Sequence, residues 1–133
     1  MATIEIELAR RALVLTADGE RFAVPLSHVV GATADRQALA ALAGRLRREA
    51  PPAMLTGALA VHTARTREGD WAFWEAQDLS HAVAIHLAGE RVALLVVAVD
   101  DPRATAEAIT AAIRGAAMPV RAVATRAQAG AAA

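Results

Sequence analysis

With 133 residues the chain is long enough for one domain with a real core and too short for two comfortable ones. Its 14 basic residues, all arginine, balance 14 acidic ones, so the formal net charge is zero and neither nucleic acid nor an anionic membrane is expected as the principal partner. Cysteine is absent, which excludes disulfides, thiolate nucleophiles and thiolate metal sites and leaves stability to packing.

Residues 3–8 (TIEIEL) alternate apolar and polar, the period of a strand with one buried face, and place Ile4, Ile6 and Leu8 inward. Glu5 and Glu7 stand where a secretory leader would need positive charge and an apolar run, so export is not expected and the cytoplasm is the expected location. Arg10-Arg11 interrupts the pattern, which resumes over residues 12–17 with Leu13 and Leu15 on one side. Asp18-Gly19 is the strongest hairpin signal in the chain. A third strand follows over residues 21–30. Pro25 cannot donate to a ladder and marks an edge or a bulge within it.

Asp35 suits the N-cap of a helix running to Arg47, with Leu39, Leu42 and Leu46 along one side and Pro51-Pro52 as a stop. Residues 57–65 set Leu59, Val61 and Thr63 against alanines and His62, a fourth strand. Arg67-Glu68-Gly69-Asp70 then turns into a fifth that begins at Trp71. In that strand Trp71 and Phe73 share a face expected inward, which leaves Trp74 outward as an exposed aromatic or interface anchor.

Val83, Ile85 and Leu87 alternate with Ala82, Ala84 and His86, a half-buried strand, whereas residues 92–99 are apolar throughout and need cover on both faces. That run is far short of the ~20 residues that span a bilayer as a helix. Gly89, in the intervening Ala88-Gly89-Glu90-Arg91, can take the positive φ of a two-residue turn, which makes these strands antiparallel neighbours. Asp101 and Pro102 open a helix whose Thr105, Ile109, Ala112, Ile113 and Ala116 form an apolar stripe, with Gly115 as its stop. Residues 117–133, rich in alanine, glycine and arginine, lack periodicity and are expected as a loose tail.

A run of seven strands followed by one helix argues for a mainly β, antiparallel α+β design or small barrel rather than a doubly wound sheet. In order, VPLSHVVGA after an early hairpin, FWEAQD, AVAIHL and VALLVVAVDDPRATAEAI resemble small bacterial pleckstrin-homology-like (PH-like) domains of unknown function, over residues 4–113. The resemblance implies a partly open barrel of two roughly orthogonal antiparallel sheets, capped by the C-terminal helix. The domain would cover residues 1–116, with a helical or loop insert at 35–53 and the tail at 117–133. None of the landmarks is a catalytic motif. The family tends to carry Val-Arg-x-Pro after its Phe-Trp, where this chain has Ala76-Gln77-Asp78-Leu79, so no role of that arginine transfers.

His81 and His86 lack partners at ligand spacing, and no metal or other cofactor is expected. Ser27-His28 and Ser80-His81, read as neighbours in extended strands, point to opposite sides and make no nucleophile and base. Asp100-Asp101 is explained by the helix cap, and there is no glycine-rich phosphate loop, so no catalytic residue is assigned and the chain is not expected to be an enzyme. Arg45, Arg47 and Arg48 form the only local basic cluster, a candidate for a weak anionic ligand weighed against a solvated helix end. The expected function is a non-enzymatic binding or scaffolding module for a protein partner or a second copy of the chain. Its contact surfaces would be Trp74, an exposed strand edge, and Arg45, Arg47 and Arg48. The alternative is small-molecule or anionic-lipid binding, by a cavity left among Ala82, Ala84, Ala93 and Ala98 or by the arginines.

Overall fold

The computed structural model describes residues 2–47, 55, 57 and 62–115. Strands β1 (Ala2–Glu7), β2 (Ala12–Ala17) and β3 (Glu20–Pro25) form an antiparallel sheet in that order. Alternation buries Ile4, Ile6, Leu13, Leu15 and Val24 on its inner face. The β2–β3 turn is Asp18-Gly19, with φ of 51° and 82°, the two positive values that fit a two-residue turn to the twist of its strands. Pro25 is the last residue of β3. The 3-10 turn Leu26–His28 then carries the chain out of this sheet, and β4 (Val29–Thr33) starts in the other. The single strand expected over 21–30 is therefore two strands in two sheets, divided where proline cannot continue a ladder.

The second sheet adds β5 (Thr63–Arg65), β6 (Trp71–Glu75), β7 (Ala82–Leu87) and β8 (Leu94–Ala98), in the order β4-β7-β8-β6-β5. Of the strand expected over 57–65 only the last three residues are strand, and residues 58–61 lie outside the described ones. β7 and β8 pair antiparallel as expected, but across residues 88–93 rather than a two-residue turn, with Gly89 at φ 76° and the Leu87 amide donating to Ala93 O at 2.9 Å. β6 and β8 run parallel, which corrects the all-antiparallel expectation. After β6 the chain passes through the 3-10 turn Leu79–His81 into β7, and β8 then enters between the two. Apolar alternation fixes which side chains face inward and carries no information on the direction of a neighbouring strand.

Phe73, Val83, Ile85, Leu95 and Val97 meet the buried face of the first sheet in one core, which Ile109 and Ala112 of α2 (Pro102–Ile113) complete. On the opposite face of the second sheet, Ala72, Ala82, Ala84, Leu94 and Val96 pack against Leu39 of α1 (Arg36–Ala43), with Leu42 and Leu46 beside it. β8 is thus covered on both faces, as its continuous apolar run requires. Ala82 and Ala84, weighed above as a source of empty space, lie in the cluster with Leu39, and all three have zero exposure. Both helices begin as expected: Asp35 Oδ1 accepts from the Gln37 amide at 3.2 Å, and Asp101 Oδ1 from the Ala104 amide at 3.1 Å. Gly115, at φ 62°, lies just past the end of α2.

α1 stops at Ala43, short of Arg47, because the chain leaves helical geometry to pair with the sheet: Arg47 N donates to Arg65 O at 2.7 Å and Arg65 N to Arg47 O at 2.8 Å. The insert at 35–53 is accordingly helical over residues 36–43, and its part beyond Arg47, like the tail at 117–133, lies outside the described residues. Among the described residues the architecture is α+β and mainly β, two sheets of three and five strands that do not close into a barrel. No helix among the described residues is long and apolar enough to cross a membrane.

Candidate functional site

Three side chains far apart in sequence converge where the two sheets meet: Asp18 in the β2–β3 turn, His62 immediately before β5, and Glu75 at the end of β6. His62 Nε2 lies 3.1 Å from Asp18 Oδ2 and 3.6 Å from Glu75 Oε2. One donor atom from each residue falls within 4.8 Å of the others. His62 and Glu75 are mostly shielded, with side chains 24% and 22% exposed, and Asp18 is more open. The imidazole stands edge-on to buried Phe73, with centroids 5.4 Å apart, and His62 O accepts from the Trp74 amide at 2.9 Å, so ring and backbone are both held. Asp18 sits in the left-handed region, which aspartate tolerates better than most residues. Its hydrogen bond with His62 is the main cause that lowers the Asp18 carboxyl below its ordinary pKa of 3.8. One imidazole nitrogen and two carboxylate oxygens are a donor set for a divalent cation.

Sequence reasoning missed this cluster by testing short histidine spacings. Asp18 and His62 are 44 positions apart, and no pattern in the sequence singled out any of the three as a ligand.

A second polar group gathers at the 3-10 turn Leu79–His81. Ser80 Oγ donates to Asp78 Oδ1 at 2.6 Å, and His81 Nδ1 lies 2.9 Å from Asp78 Oδ2 and 3.2 Å from Ser80 Oγ. The expectation that Ser80 and His81 point apart assumed extended chain, and the turn brings them together instead. The arrangement is still no nucleophilic relay: a base must face the serine with one ring nitrogen and its orienting carboxylate with the other, whereas here both meet Nδ1. The cluster is a cap. Ser80 Oγ first, then His81 and the Ser80 amide, hold the Asp78 carboxyl down at about 2. At the other serine–histidine pair, His28 Nδ1 engages Glu90 Oε2 at 2.7 Å.

Of the expected contact residues, Trp74 is half-buried: its ring packs beside the α1 cluster and its Nε1 donates to Ala76 O at 3.0 Å. Trp71 is also half-buried, under the Arg65 guanidinium at 5.4 Å, and Phe73 takes the inward position. Arg45 pairs with Glu68 at 3.3 Å, both exposed, and Arg47 is exposed while its backbone engages Arg65. Arg48 lies outside the described residues.

An open groove of about 950 Å³ lies between β4 and α2, lined by small residues, among them Ala32, Thr33, Ala106 and Ala111, with Asp35 and Arg114 also on its walls. The sheet edges differ in how well they are blunted. β1 carries Glu5 and Glu7, β3 carries Glu20, Arg21 and Pro25, and β5 exchanges hydrogen bonds with Arg47. β4 (VVGAT) has neither charge nor proline, pairs only with β7 among the described residues, and exposes Val30 to 65% at a register shift. Comparison of the chain with protein-family models, with curated proteins and with solved structures finds no match.

Proposed function

We propose that the chain is a non-enzymatic binding module that accepts an extended peptide segment of a protein partner on the edge of β4 that pairs with no strand among the described residues, in the groove beside α2. The observation that carries this reading is the contrast among the sheet edges of the described residues: β4 is an uncharged, proline-free strand with an adjoining groove, whereas β1, β3 and β5 carry charges. Strand addition would draw its affinity from main-chain hydrogen bonds at residues 31–33 and its selectivity from the groove. The small lining side chains leave room for a bulky residue on the ligand, and the polar walls favour a ligand that is not wholly apolar. The PH-like architecture and a cytoplasmic location belong to the same proposal, the first supported by the sequence landmarks. The anionic-ligand alternative has less support, since Arg45 already faces Glu68.

The test is selection from a display library of random peptides, followed by titration of the enriched peptide into isotope-labelled protein. Shifts centred on the amides of Gly31, Ala32 and Thr33, and an affinity reduced about tenfold or more by Ala111→Arg, are expected. Failure to enrich any sequence, or shifts that map away from β4 and α2, would overturn the reading.

A further inference from the structure

We infer that Asp18, His62 and Glu75 form a binding site for a divalent transition ion of the zinc class, which would tie the β2–β3 turn of the first sheet to β5 and β6 of the second. The inference begins with donor spacing. Ligand bonds of ~2.1 Å arranged tetrahedrally put neighbouring donor atoms about 3.4 Å apart. The two separations at His62 Nε2, 3.1 and 3.6 Å, bracket that value, and the third donor pair is within 4.8 Å. The three side chains therefore need only a small closing movement, which the Asp18 side chain, 46% exposed on a turn, can supply.

Donor chemistry narrows the ion. Magnesium and calcium prefer all-oxygen shells with several ligands or waters, whereas an imidazole nitrogen with two carboxylates suits zinc, and with some loss cobalt or manganese. Three protein ligands leave at least one position for water or an exchangeable group, the pattern of an open rather than a closed structural site. His62 is also the member best fixed beforehand, by Phe73 at its ring and the Trp74 amide at its carbonyl, so little rotamer freedom is lost on binding.

The experiment is calorimetric titration of untagged protein with zinc chloride, joined by visible absorption on adding cobalt chloride and by thermal unfolding with and without zinc. One zinc per chain, cobalt d–d bands, and an unfolding temperature raised by zinc are expected. His62→Gln and Asp18→Asn should each weaken zinc binding by about tenfold or more and abolish the thermal shift. His81→Gln, next to Asp78 but outside the trio, should change neither. Asp18→Asn keeps a residue that tolerates positive φ, so it remains informative if His62→Gln does not fold. The inference is overturned by the absence of binding at millimolar zinc, by binding that survives both trio variants, by equal loss in His81→Gln, or by magnesium binding as tightly as zinc.

Discussion

Asp78 shows how much a few polar atoms on one turn can do. Its carboxyl is held at about 2, against an ordinary 3.8, by the Ser80 hydroxyl, His81 and the Ser80 amide in that order. A depressed carboxyl stabilises the folded chain in its ionised form. That contribution is complete above the ordinary value near 3.8 and disappears as pH falls through about 2, so it belongs to the acid limb of stability. Ser80→Ala removes the largest cause, and the Asp78 pKa should rise toward 3.8. Carbon-detected NMR titration of the Asp78 carboxyl checks this, and a value still near 2 would show that His81 and the backbone suffice. The contrast with Asp101 explains what was legible at this scale. Asp101 was readable as a cap because it bonds three positions along the same turn. The meeting of Ser80 and His81 was hidden because it depends on the turn being 3-10 instead of extended, and Leu79, Ser80 and His81 carry no pattern that separates the two.

Among the elements, α1 rests on alanines. Ala72, Ala82 and Ala84 give the outer face of the second sheet a shallow surface, and Leu39 packs against it with no exposure while Leu42 and Leu46 stay at its margin. Leu39→Ala should therefore cost about 2–5 kcal/mol, the range for a leucine whose site cannot collapse, measured by urea unfolding. A cost under about 1 kcal/mol would mean that the helix re-seats over the alanines or that its packing matters little to the fold. Strand polarity was readable where one face is buried, as in β1, and so was the two-sided cover of β8, since eight consecutive apolar residues over 92–99 admit no wet face. β7, expected half-buried, is instead covered on both faces, because its alternate alanines Ala82 and Ala84 form the seat of Leu39. Element ends were less legible. The helix expected to reach Arg47 gives way to a backbone pairing with Arg65, a partner far along the chain, and the strand expected across Pro25 divides between two sheets.

At the scale of the molecule, the sequence carried the class of fold but not its wiring, and the candidate cation site is a product of the wiring. Asp18, His62 and Glu75 meet only because a hairpin turn of one sheet reaches the β5–β6 margin of the other, a juxtaposition that no local spacing records. The parallel pairing of β6 with β8 was equally invisible, since each strand satisfies the same alternation whichever way its neighbour runs. That pairing has a consequence for biosynthesis. Of the described strands β8 is the last to be translated, and it joins β4–β7 to β6–β5, so before Leu94–Ala98 emerges from the ribosome these strands can exist only as two separate two-stranded pairs, each marginal in water. Nascent chains arrested with Arg91 as the last exposed residue should stay protease-sensitive across β4–β7, and chains exposing residues through Ile113 should resist. Early resistance would show that the sheet forms without its central strand. Until translation passes that point, β6 and β7 each present an unmet edge, so the window for mispairing with another chain is set by how fast the ribosome delivers residues 76–98.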